Sequence, residues 1–210
     1  MRAAEVIATA GVEALSLRGL ARDLDVSHGA PRRHFADRAA LLGALAKDGF
    51  RRSRTAMNEG VEAAGADPVA RFRALGRSYV KFAKTHPALF RAINHPEIRK
   101  VQDPELRSLE AEWFATLREG AAAAQRSGWH PEADPEALVA FSVSGAIGAA
   151  TLFSDETWMR RLGGGDLDEL ADAVLDLVVD RTQITAVEAA PGNESGGDVD
   201  RKSSSKRRAC

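Results

Sequence analysis

Cysteine is almost absent from this chain of 210 residues, and Cys210 is the only one. A single terminal thiol excludes an intramolecular disulfide and a cysteine zinc cluster, and it offers no oriented nucleophile; a reducing compartment, the cytoplasm, is the simplest setting. Aromatic residues are also few, at 6%, and few stretches alternate with period two, so strand signals are missing. No Gly-rich phosphate loop is present. Gly163-Gly164-Gly165 lacks the Lys-Ser/Thr of a P-loop and reads as a connection between two helices. None of His28, His34, His86, His95 and His130 has a Glu three residues before it, so the carboxylate–histidine pattern of di-iron bundles is missing too. These absences leave no catalytic residue, no metal site and no cofactor to expect, and the chain does not read as an enzyme. The Met1–Ala8 segment has no long apolar run and does not read as a secretory signal. One charge-free run, 137–154, reaches the lower length of a membrane span. Its serines and glycines, and its flanks Glu136 and Asp155, favour instead a helix buried all round in a soluble protein, with no membrane partner.

What is present is ordinary for a globular chain: 44% apolar and 28% charged residues, with 29 Lys and Arg against 30 Asp and Glu. The balance conceals an asymmetry. Residues 1–54 carry a net +4, residues 55–187 a net −6, and residues 188–210 a net +1. A basic front on an acidic body points the front at a polyanion.

Helix signals run through the chain. Asp67-Pro68, Asp103-Pro104 and Asp134-Pro135 each place a capping carboxylate before a proline, which has no amide to lose at the first helical position. They open apolar-periodic stretches at 69–84, 105–127 and 136–153, and Gly128 stops the second. A last helix is expected over 166–183, with a stripe of Leu170, Val174, Leu177 and Val178. From Glu188 the tail is rich in Gly, Ser and charge without an apolar stripe, and disorder is expected.

The first fifty residues carry the most specific signal. Val6, Ile7 and Ala10 give a short helix one an apolar face, ended by Gly11. Ser16 caps a second helix with Leu17, Leu20, Ala21 and Leu24 inside. After a turn at Asp25-Val26, Ser27 caps a third short helix from His28 to His34. Asp37 then caps a fourth, bearing Leu41, Leu42 and Leu45. Two short helices around a tight turn, with small Ala21 at their crossing, form a helix-turn-helix pattern, whose second helix enters the DNA major groove.

The run from Gly11 to Phe35, continued by Asp37-Arg38-Ala39-Ala40-Leu41-Leu42, resembles the DNA-binding domain of TetR/AcrR-type repressors. Tyr79-Val80-Lys81-Phe82-Ala83 with His86-Pro87-Ala88-Leu89-Phe90-Arg91 resembles the ligand-binding body of one TetR subgroup. The resemblance implies roles by position. Ser16 and Arg38 match positions that hold DNA phosphates, where helix N-termini present free amides. Ser27, His28, Gly29 and Arg32 match positions facing bases, and Arg33 and His34 positions that mostly hold the backbone. Three features depart from the pattern. Asp25 replaces a turn glycine and has to take a left-handed backbone. Pro31 stands inside the recognition helix, where it removes one early backbone hydrogen bond unless the helix starts near Ala30. Arg32 replaces a common aromatic.

The fold expected is all-α: a three-helix DNA-binding domain over 1–46, a helical ligand-binding and dimerisation bundle over 47–187, and the tail over 188–210. On the body's apolar faces, Phe72, Tyr79, Phe82, Phe90, Trp113, Phe114 and Phe141 are candidates to line a ligand pocket, with Tyr79 and Trp113 as polar anchors. The resemblance implies a homodimer through the last two long helices, where Ser144, Gly145, Gly148 and Ala149 permit close approach. Two recognition helices one DNA turn apart, roughly 34–36 Å, would then read a palindromic double-stranded operator. The reading that follows is a transcriptional repressor released by a small-molecule effector. The rival is a helical small-molecule binder or enzyme whose DNA-binding motif is degenerate.

Overall fold

The computed structural model describes residues 2–27, 29–153, 160–161, 169–170, 172–174 and 176, and among them all regular structure is helical. Helix α1 (Arg2–Ala10) buries Ala3 and Ile7 and stops at Gly11, whose φ of 83° carries the chain into a 3-10 turn, Val12–Ala14. Helix α2 (Leu17–Asp23) is opened by Ser16, whose hydroxyl accepts from the Gly19 N–H at 3.0 Å. Leu20 and Ala21 are buried beneath it. Asp25 takes the left-handed conformation that its position demands, with φ 51°, and Val26 N–H closes the turn on Ala21 O at 3.0 Å.

Two expectations for this region are corrected. The third helix is only a 3-10 turn, Pro31–Arg33. Ala30 N–H closes a turn on Ser27 O at 2.9 Å, but Pro31 brings no N–H, so the 3-10 bonding resumes only with Arg33 N–H to Ala30 O, and extended Asp37 follows soon after as the cap of the next helix. His28 lies outside the described residues. Leu24, expected inside, is 53% exposed, and Val26 is 44% exposed. Helix α2 ends one residue earlier, so Leu24 has left the helical face.

Helix α3 (Arg38–Ala63) begins at Asp37, whose carboxylate accepts from the Ala40 N–H at 2.8 Å. It runs unbroken through 46 and 47, burying Leu41, Leu42 and Leu45 in the head and Phe50 and Met57 in the body. The two expected domains therefore share a helix and one continuous apolar core. The three Asp-Pro signals each fall where a helix begins. Asp67 caps α4 (Pro68–Thr85), Asp103 caps α6 (Pro104–Arg126), and Asp134 accepts from the Ala137 N–H at the start of α7 (Pro135–Phe153). Helix α5 (Pro87–Ile93) follows α4 after a break at His86. Gly128 ends α6 with φ 101°.

Helix α3 is the axis of the molecule, packed on α4, α5 and α6, while α4 also packs on α6 and α7, and α1 rests on α5. Gly49 permits the crossing of α3 and α5. A Cβ there would stand 2.6 Å from Ile93 Cγ2 and 3.2 Å from the Leu89 carbonyl.

Helix α7 corrects a further expectation, because it is not buried all round. Leu138, Val139, Ala146, Ala149 and Ala150 face the core, whereas Phe141 is 44% and Leu152 37% exposed. It is long and apolar enough to cross a membrane, but composition alone gives it that property. Most of the expected last helix, and the tail from Glu188, lie outside the described residues. Leu170 and Val174 are partly buried against the core, and Arg77 meets Asp172 at 2.8 Å and Asp176 at 3.1 Å.

Candidate DNA-contacting head and effector cleft

The head presents its polar residues in two ways. Arg32, Arg33 and His34 stand on or beside the 3-10 turn, exposed, and their side chains have no hydrogen-bond or ion-pair partner among the described residues. Ser27 and Gly29 are exposed nearby, and no atom approaches within 4 Å of where a Gly29 Cβ would sit, so the backbone there is open to approach. Ser16 is exposed at the start of α2, its hydroxyl oxygen occupied by the helix amide and its own proton left to donate outward.

Arg38 behaves differently from its expected phosphate-holding role. Its guanidinium turns inward: Nε donates to Leu15 O at 3.0 Å, Nη2 to Val12 O at 3.0 Å, and Nη1 pairs with Glu97. All three nitrogens are engaged by the protein. The side chain thus ties the 3-10 turn after α1 to the third 3-10 turn, Pro96–Lys100, on the body. Two other side chains join head to body. Arg91 of α5 donates to the last carbonyls of α1, Ile7 O at 2.7 Å and Ala8 O at 2.8 Å. His95 Nε2 lies 3.1 Å from Glu13. Reasoning from the sequence missed Arg91, His95 and Glu97 in this part, because their partners are some sixty to eighty residues distant and no local spacing signals them.

The body contains a cleft between α4, α6 and α7. Phe72, Leu75 and Tyr79 line it from α4, Trp113 and Leu117 from α6, and Val139, Ser142 and Val143 from α7. Three of the seven candidate pocket residues, Phe72, Tyr79 and Trp113, are among its walls. Phe82 and Phe90 are buried one layer behind, with ring centroids 6.3 Å and 5.7 Å from Tyr79. Phe114 stands edge-on to Trp113 at 5.2 Å and carries the Arg118 guanidinium over its outer face. Phe141 points away from the cleft, on the exposed side of α7.

Polar groups in the cleft are sparse. The Tyr79 hydroxyl accepts from Asn94 Nδ2 at 2.9 Å, and burial pushes its pKa up to about 12, so it remains a neutral phenol with a proton to donate. Trp113 Nε1 and Ser142 Oγ are buried without a partner among the described residues. Arg73, the one charged residue of the lining among the described residues, pairs with Asp176 at 3.2 Å. The interior of the cleft has room of only about 30 Å³, one water's share of liquid. Among the described residues no three His, Cys, Asp or Glu side chains gather into a metal site.

Comparison with known proteins agrees with this layout. The model of the family described as "Tetracyclin repressor-like, C-terminal domain" matches residues 72–178. A protein of unknown function from Rhodococcus sp. RHA1 is 32% identical, over 85% of this chain and 90% of that one, with a TM-score of 0.68. The TetR family transcriptional regulator PfmR from Thermus thermophilus is 22% identical over 86% and 96%, with a TM-score of 0.67. The ketosteroid transcriptional regulator KstR2 of Mycobacterium tuberculosis is 15% identical over 85% and 89%, with a TM-score of 0.62. The last two likenesses concern the fold alone. No curated protein matches the chain.

Proposed function

Because this chain belongs to the TetR family of DNA-binding transcriptional regulators, we propose that it works as a homodimeric repressor, released from a palindromic operator when a small molecule occupies the cleft between α4, α6 and α7. The cytoplasm is the compartment that this task implies. The observation that carries the DNA-binding part is the run Arg32-Arg33-His34, three exposed donors without internal partners beside a capped α2. Ser27, His28, Gly29 and Arg32 read bases, while Ser16, Arg33 and His34 hold the backbone; Arg38 is reassigned from phosphate contact to a strut. The dimer is supported by the apolar outer side of α7, where Phe141 and Leu152 face outward beside Ser144 and Gly148.

Release needs a path from cleft to head. Helix α4 lines the cleft and continues through His86 into α5, where Arg91 grips the end of α1. A ligand that parts α4 from α6 and α7 shifts this grip and the spacing of the two recognition segments. It can act only through its different affinity for the two conformers.

The rival reading, a body that binds small molecules without a working DNA-binding head, draws on the brevity of the 3-10 recognition turn. Selection of the full chain on random duplex DNA at near-physiological salt separates the two. Enrichment of a two-fold symmetric site is the expected result. Failure to enrich any site, by a protein that small molecules still stabilise, would leave only the rival.

A further inference from the structure

We infer that the effector is a neutral, largely apolar molecule whose single important polar feature is a hydrogen-bond acceptor, a ketone, ester or lactone oxygen, received by the Trp113 indole N–H and the Ser142 hydroxyl. The inference rests on the ligand-responsive reading above and adds to it the chemistry of the occupant. Trp113 is 5% exposed, and its Nε1 is buried with no acceptor among the described residues. An indole nitrogen can only donate, and an unpaired buried donor forfeits its hydration, at a cost that native proteins rarely leave unmet.

Ser142 makes the same point on the facing helix. Serines and threonines within helices ordinarily satisfy themselves on the carbonyl four residues back. Ser144 does so on Ala140 O at 2.7 Å, and Thr151 on Ile147 O at 2.8 Å. Ser142, on the same helix and on the side that lines the cleft, does not. Two residues that carry unpaired buried polar atoms, Trp113 on α6 and Ser142 on α7, thus line one apolar cleft from facing helices. The Tyr79 phenol, held by Asn94, adds a third donor on α4.

Charge excludes the other common ligand classes. Among the described residues the only cation in the lining already pairs with Asp176, and no carboxylate lines the cleft. A carboxylate ligand would lose its hydration without a free counter-charge, and an ammonium would find no carboxylate in the lining among the described residues. A hydrocarbon would leave both orphan atoms as they are.

Three probes of matched shape test this with the full chain: 4-phenyl-2-butanone, butylbenzene, in which methylene replaces the carbonyl, and 3-phenylpropanoate. Dissociation constants are measured by tryptophan fluorescence and by thermal shift, for the wild type and for Trp113→Phe, which keeps an aromatic ring and removes the donor. Comparing each probe with itself across the two proteins cancels its own hydrophobicity. The ketone is expected to lose about three- to tenfold in affinity on Trp113→Phe, with butylbenzene about unchanged. Ser142→Ala supplies the same contrast should Trp113→Phe fail to fold. Equal changes for ketone and hydrocarbon, tightest binding by the carboxylate, or no binding by any probe would each overturn the assignment. The same preparations are tested for binding to selected duplex DNA. A protein that binds DNA but fails the ketone contrast sinks only the effector chemistry, whereas loss of DNA binding by the wild type sinks the regulator reading itself.

Discussion

Arg38→Ala separates a strut from a phosphate contact more sharply than any other single change. In the structure the guanidinium makes two charge-assisted hydrogen bonds to carbonyls beside buried Val12 and Leu15, plus an ion pair with Glu97. Hydrogen bonds to charged groups contribute roughly 1.5–3 kcal/mol each. The side chain is 29% exposed, so water takes over part of each lost contact, and Glu97 at 39% exposure rehydrates freely. A net loss of about 2–3 kcal/mol follows, or roughly 4–12 °C in Tm for a chain of this size. The salt dependence of DNA binding should stay the same, because the strut meets no phosphate. Each phosphate contact adds roughly 0.9 to the slope of log K against log salt. The assays are urea denaturation and operator binding across a salt series, with Arg33→Ala as the comparison. Arg33 is exposed and unpartnered, so its removal should lower the slope by about one and leave stability about unchanged. An Arg38→Ala protein of full stability whose slope drops by about one would refute the reasoning.

Four further outcomes are expected. Ser16→Ala should cost about 1 kcal/mol by uncapping α2, whereas Ser16→Asp should keep the cap and stability in denaturation yet weaken DNA binding through repulsion; equal DNA affinity for the two variants would exclude Ser16 from the interface. Asp25→Gly should raise Tm by a few degrees, since a left-handed backbone costs an L-residue about 1 kcal/mol that glycine does not spend; a fall in Tm would mean that the Asp25 side chain stabilises the turn. Lys47 holds the Asp103 carboxyl below its ordinary range, with help from the Leu106 amide, and holds Glu105 low as well, while the two carboxylates raise Lys47. Depressed acids stabilise above their unfolded pKa values and lose that contribution as pH falls through the folded ones; the raised Lys47 loses its share only as alkaline pH passes its folded pKa. Lys47→Met should therefore lower the urea midpoint at neutral pH and bring it closer to its value at pH about 3; parallel pH profiles would contradict this. Phe141→Glu should convert a dimer to a monomer in sedimentation velocity with the α-helical signal retained, and a dimer that persists would move the interface away from α7.

Much of the fold was legible because its signals are local. Asp67, Asp103 and Asp134 each sit one residue before a proline, and a cap needs only the three or four residues that follow it, so their positions survive any tertiary arrangement. Gly11 and Gly128 stop helices for the same local reason, a positive φ. Where the reading failed, a second local rule competed. His28 to His34 reads as a helix by its cap and spacing, but Pro31 has no N–H and interrupts the ladder after the Ala30 N–H to Ser27 O turn, so that only a short 3-10 turn follows before Asp37. Leu24 followed the helical period correctly for one residue more than the helix lasts.

The candidate site was less legible, because its content is relational. Arg38 occupies a position that the resemblance gives to a phosphate, and its redirection depends on Glu97, fifty-nine residues away, being delivered by a turn whose place is set by His95-Pro96. Tyr79 and Trp113 stood out as aromatics with polar handles, but the sequence does not show that Asn94 satisfies one and nothing among the described residues satisfies the other. Ser142 gave no signal, since in composition it is one of several small polar residues on α7, and only a comparison with the bonded hydroxyls of Ser144 and Thr151 sets it apart. Helix α7 shows the same limit from the opposite side. Its lack of charge was read as complete burial, whereas the structure buries one face and leaves Phe141 and Leu152 outward. An apolar residue exposed on α7 and a donor unpaired in the interior are two forms of one observation, and under the proposed function each is met by a second molecule, a partner chain at α7 and an effector at Trp113.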